Sequence, residues 1–109
     1  MYFRELSKEK HKQLFEGFTT RFVETTNMTV AHVEIEGGRV LPEHSHEHEQ
    51  ITNLISGELE MTVGGETRVL KPGDVVIVPS NVKHSGRALQ ACYVVDVFNP
   101  PRLDFNDLK

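Results

Sequence analysis

Residues 73–84 read GDVVIVPSNVKH: a glycine turn, a short β-branched run, a proline turn, then a histidine. The glycine belongs to KPGD (71–74), which suits a type II turn, with Pro72 presetting φ and Gly73 taking a positive φ. VVIV (75–78) is the pattern of a short buried strand. Pro79 removes a backbone donor and ends it. Asn81 tolerates the left-handed backbone better than most residues, so it suits the following turn. His84 is thereby placed at the entry to the next strand, pinned behind a turn.

Working outward, the rest of the chain from Phe18 onward also reads as strand. In TVAHVEIE (29–36), Ala31, Val33 and Ile35 share one face, while His32, Glu34 and Glu36 share the other. Leu59, Met61 and Val63 alternate in the same way within QITNLISGELEMTV (50–63). Gly64-Gly65 marks a hairpin. A two-residue loop would set Met61 opposite Arg68, whereas a loop of Gly64, Gly65 and Glu66 sets Met61 opposite Val69. A one-residue slip swaps faces, so the longer loop is expected. LQACYVVDVF (89–98) is the last long strand, and NPPRLDFNDLK (99–109) is an extended tail whose prolines remove consecutive donors. The helix candidate is LSKEKHKQLFEG (6–17), with Ser7 as cap and Gly17 as stop. Residues 1–17 are therefore expected to form an N-terminal arm with a possible short helix. Residues 18–109 then form a small all-β sandwich or barrel with its tail.

The 109 residues suit one domain, and a net charge of −4 gives no reason to expect nucleic acid or anionic lipid as a partner. No apolar run approaches membrane-spanning length, and MYFRELSKEK (1–10) lacks the apolar core of a signal peptide. The single cysteine, Cys92, excludes an internal disulfide and fits a reducing cytoplasm, and its strand context makes it a small buried hydrophobe.

Upstream of the turn–strand–turn segment lies HSHEHEQ (44–50). On a strand, residues two apart point the same way about 6.6 Å apart, so His44 and His46 can converge on one ion. Gln50 can join them only if the chain turns near Glu47-His48-Glu49 and returns as another strand. A further ligand must come from His11, His32, His48 or His84, and His84 stands out by its placement behind the turn. His48 reads as a solvated neighbour, His32 as outward-facing, and His11 as part of the polar arm.

The two segments resemble the paired motifs of the cupin superfamily. Gly38, His44, His46, Gln50 and Gly57 follow the first motif, with glutamine in place of glutamate. Gly73, Pro79, Asn81, His84 and Ala88 follow the second, with Asn81 in place of glycine and Ala88 in place of asparagine. The resemblance implies a double-stranded β-helix (cupin jelly-roll barrel) with one divalent metal on His44, His46, Gln50 and His84. Three imidazoles and an amide oxygen leave the ion's +2 charge uncompensated. That makes a stronger Lewis acid than a site with glutamate and favours non-redox chemistry on an anion. Neutral N and O ligands suit nickel, zinc, manganese, cobalt and ferrous iron alike.

HEQ (48–50), SNVKHSG (80–86) and DVFNPPR (96–102) further resemble the small KdgF-type pectin-degradation cupins. That resemblance implies ring opening of 4,5-unsaturated uronates to the linear ketone. It places catalytic roles at Asp96 and Arg102, with Phe98 and Arg102 binding the anionic sugar. Asp96 is also the lone charge of its apolar strand, and a buried carboxylate needs a partner or a task. An iron-dependent dioxygenase and a non-catalytic cupin that binds a metal and a small acid are the alternatives. The outward face of Tyr93, Val95 and Val97 suits a homodimer.

Overall fold

Among the described residues, 2–102, of the computed structural model, alternation of side chains produces strands almost throughout. These are β1 (Lys10–Phe15), β2 (Phe18–Glu24), β3 (Thr29–Ile35), β4 (Val40–His44) and β5 (Glu49–Ser56). They continue as β6 (Leu59–Val63), β7 (Glu66–Leu70), β8 (Val75–Val78), β9 (His84–Ala88) and β10 (Cys92–Asn99). Two antiparallel sheets result, one ordered β1-β2-β3-β10-β5-β8 and the other β4-β9-β6-β7. Their inner faces share one core, in which Phe22, Ala31, Leu54 and Val94 of the larger sheet meet Leu59 and Met61 of the smaller. The architecture is a jelly roll of two facing sheets rather than one closed ring of strands.

The faces fall as the alternation requires. Ala31, Val33 and Ile35 are buried, and Cys92, Val94 and Phe98 line the inner side of β10. The Cys92 thiol is buried and donates to the Glu58 carbonyl at 3.2 Å. Asn81 sits at φ 65 and Gly73 at φ 96, and the Asp74 N–H donates to the Lys71 carbonyl at 2.9 Å, closing the turn expected at KPGD.

Four expectations are corrected or fall outside what is described. Instead of a helix over 6–17, there is a single 3-10 turn at Leu6–Lys8 and then β1, which pairs with β2 at the edge of the larger sheet. Pairing with a neighbouring strand supplies hydrogen bonds that so short and weakly amphipathic a helix cannot match.

The β6–β7 hairpin takes the two-residue loop, with Val63 opposite Glu66 and Met61 opposite Arg68. Gly64 and Gly65 both have positive φ, 55 and 85, the requirement of the tight hairpin turn that matches strand twist. β7 is an outer edge exposed along most of its length, so a charge opposite Met61 stays in water while Leu59 and Leu70 meet in the core. Turn geometry outweighs face matching there.

VVIV is an edge strand, with Val75 57% and Ile77 65% exposed and only Val78 fully buried. Beyond Arg102 the expected tail lies outside the described residues.

Candidate metal centre

β4 ends at His44, and the chain turns through residues 45–48 and returns as β5 in the other sheet. The turn required for Gln50 to approach the histidines is therefore present. His46 reaches the centre from that turn rather than as a strand neighbour of His44. His84 opens β9 directly opposite His44 in register. The His44 and His84 rings lie 4.2 Å apart, and His46 lies 4.9 Å from His84. One ring nitrogen from each falls within 4.8 Å of the others, a group that fits a divalent metal ion.

Each imidazole is oriented by a backbone carbonyl. His44 Nδ1 donates to the Pro42 carbonyl at 2.8 Å, His46 Nδ1 to that of His48 at 2.9 Å, and His84 Nδ1 to that of Val82 at 2.9 Å. A carbonyl can only accept, so each Nδ1 carries the hydrogen and Nε2 is left as the ligand atom of each ring. Burial, then the charge of Arg102, lowers the His46 pKa to about 4, and burial lowers that of His84. His46 and His84 are therefore neutral at pH 7 and ready for a cation.

The polar atoms fit an ion at this point. His84 Nε2 is buried and has no hydrogen-bond partner among the described residues. His46 Nε2 and Gln50 Oε1 face one another at 3.1 Å while the Gln50 amide nitrogen donates to Thr52 Oγ1 at 2.8 Å. With Nδ1 protonated, His46 Nε2 and Gln50 Oε1 are both acceptors, and two facing acceptors call for a cation beside them.

The centre opens onto a cavity of about 340 Å³ between the sheets, lined at this end by His44, Gln50, Thr52, His84, Asp96, Phe98 and Arg102. Asp96 faces Thr52 across the β10–β5 pair, and its Oδ1 is buried with no hydrogen-bond partner among the described residues. Burial pushes its pKa up to about 6 against donors from Thr52 and Gln50 and the charge of Arg102. The Arg102 guanidinium carbon stands 4.7 Å from the centroid of the buried Phe98 ring, and its backbone N–H donates to Thr29 Oγ1 at 2.9 Å. Side chains from β4, β5, β9, β10 and the segment after β10 therefore converge on one end of the fold.

The remaining histidines separate. His11 is exposed on β1. His32 lies on the outer face of β3 with its Nδ1 2.6 Å from the Tyr93 hydroxyl, far from the cluster in chain and in face. His48 is not the solvated neighbour expected: it is half-buried, its ring 5.4 Å from His46, and its Nδ1 is enclosed without a partner among the described residues. Sequence reasoning missed Thr52, which is buried against both Gln50 and Asp96. Its one signal is its position two residues beyond Gln50 on the same strand face.

Known proteins resemble this chain in sequence and in fold. The pectin degradation protein KdgF of Dickeya dadantii is 34% identical over 70 residues, which span 62% of this chain and 64% of that protein. The structure of KdgF from a Halomonas species superposes with a TM-score of 0.85 at 29% identity, covering 91% of this chain and 94% of that one. An RmlC-like cupin of Shewanella frigidimarina superposes with a TM-score of 0.90 at 24% identity, over 96% of each chain, and supports the fold. The cupin domain pattern matches residues 31–98, from the middle of the third strand to the last buried aromatic of the tenth, and the chain belongs to the cupin family.

Proposed function

We propose that the protein opens the ring of 4,5-unsaturated hexuronates to the linear ketone, at a divalent metal held by His44, His46, Gln50 and His84. The observation that carries the reading is a single cavity end on which a three-histidine cluster, a buried carboxyl and a guanidinium converge. Similarity to KdgF proteins, named for pectin degradation, supplies the substrate class. A divalent ion in this donor set supplies Lewis acidity toward substrate oxygens.

The protein's own groups supply the rest. Arg102, stacked on Phe98, binds the sugar carboxylate through a forked ion pair. Asp96 moves the protons. It takes the anomeric hydroxyl hydrogen as the bond between carbon 1 and the ring oxygen breaks, and the ring oxygen acquires a hydrogen to become an enol. The enol hydrogen is then lost as carbon 4 is protonated, giving the ketone. The reaction is an isomerisation and consumes no oxidant or water. A carboxyl with a pKa near 6 suits both directions of transfer near neutral pH.

Conversion of the enol to the ketone destroys the alkene's conjugation with the carboxylate, so metal-loaded protein is expected to speed the loss of ultraviolet absorbance well beyond the spontaneous rate. A rate equal to that of buffer alone would overturn the reading. Oxygen consumption with Fe(II) would instead point to the dioxygenase.

A further inference from the structure

Gln50 poses a problem that a glutamate would not. A carboxylate offers oxygen at either end, whereas an amide offers oxygen at one end and N–H groups at the other. Only one of the two orientations presents oxygen to a cation at the histidine cluster. Something must select it.

We propose that Thr52 is the positioning residue that holds the Gln50 amide with its oxygen toward the metal centre. Gln50 and Thr52 are alternate residues of β5, both facing inward and both buried, at 7% and 2% exposure. The Gln50 amide nitrogen donates to Thr52 Oγ1 at 2.8 Å, and Gln50 Oε1 is then the end that lies 3.1 Å from His46 Nε2.

A hydroxyl alone can accept from an amide nitrogen or donate to an amide oxygen, so it does not by itself choose. Asp96 makes the choice. It is paired with Thr52 across the β5–β10 ladder, and its buried Oδ1, without a hydrogen-bond partner among the described residues, is an acceptor toward which the Thr52 hydroxyl can turn. A carboxylate only accepts, so a Thr52 hydroxyl turned toward Asp96 keeps its hydrogen there and leaves its lone pairs for the Gln50 N–H, the direction in which the 2.8 Å bond runs. The chain runs from Asp96 through Thr52 to Gln50, each link fixing the polarity of the next.

The inference rests on the metal-site reading, so its test measures metal binding rather than turnover. The probe is zinc(II), titrated into full-length metal-free protein in competition with a chromophoric chelator. Thr52→Val keeps the shape and removes the hydroxyl, and it is expected to weaken zinc binding about 10–100-fold, the usual effect of losing a residue that orients a ligand. Thr52→Ser restores the hydroxyl and is expected to bind as the wild type does. In a Gln50→Glu background the Thr52→Val change is expected to have little effect, because a carboxylate has no wrong end.

A purely structural threonine predicts the same loss in both backgrounds, and that result overturns the proposal. Equal affinity of the wild type and Thr52→Val overturns it too, while leaving the metal site standing. A wild type that binds no zinc, nickel, cobalt, manganese or ferrous iron removes the metal-site reading itself, and this inference with it. Thr52→Ala serves the same comparison if the valine variant does not fold.

Discussion

Asp96 is held between opposing influences. Its strand is otherwise apolar, and burial pushes its pKa up to about 6, while Thr52, Gln50 and Arg102 favour the charged form. In the metal-free protein, the folded state then binds more protons than the unfolded state between about pH 4 and 6, because an unfolded Asp titrates near 3.9. Folding is favoured most below that window, and the contribution is lost as pH rises through about 6. A shift of this size corresponds to roughly 3 kcal/mol. Chelator-treated wild type should therefore lose stability relative to Asp96→Asn by up to that amount between pH 4 and pH 7, read from urea unfolding at both pH values. A constant difference would show the carboxyl is not strained. The same substitution should abolish ring opening. The three histidines and Asp96 were legible in the sequence because each carries its own signal, in spacing, a turn or a lone charge. Thr52 was not, since a threonine in a strand is what β-propensity alone leads one to expect.

At the scale of elements, turns decided more than side-chain alternation did. Gly64-Gly65 drove the β6–β7 register that face matching argued against, because β7 lies at the edge and its charges stay in water. The outward side chains of β8 were misread for a related reason: a four-residue apolar run does not say whether its strand is central or peripheral. Gly57 is another such decisive point. It links β5 to β6, carrying the chain from the larger sheet to the smaller, with φ at 91. A Cβ there would stand 2.2 Å from the Ala91 carbonyl oxygen, against backbone that cannot swing aside. Gly57→Ala should therefore destabilise the protein by well over about 1 kcal/mol, the cost of positive φ being added to the clash. Urea unfolding measures it. Gly38 has a similar φ of 86 with open space around it, so Gly38→Ala should lose only the conformational share. Equal losses at the two sites would mean that the Ala91 contact is relieved by movement.

The molecule's outer surface carries the last consequence. Side chains on the outer face of the larger sheet align across strands, so that Ile77, Ile51, Val97, Val30 and Val23 form one row through five successive strands. With strands about 4.8 Å apart, the row extends roughly 19 Å. Ile77 is 65% exposed and Ile51 41%, on the side of the sheet opposite the metal centre. A contiguous apolar patch of this kind marks an interaction surface. We expect a second copy of the chain to cover it, because a two-fold contact would set the row against itself and the row contains no charge to be repelled. We expect a dimer by light scattering at micromolar concentration. Ile51→Lys should place two lysines near one two-fold axis and give a monomer. Because Ile51 points away from Gln50 and Thr52, its neighbours on β5, that monomer should still bind zinc with wild-type affinity. A monomeric wild type, or an undiminished dimer in the variant, would remove the second copy from this face. Loss of zinc binding along with the dimer would instead mean that the sheet needs its partner to hold the inner face in shape.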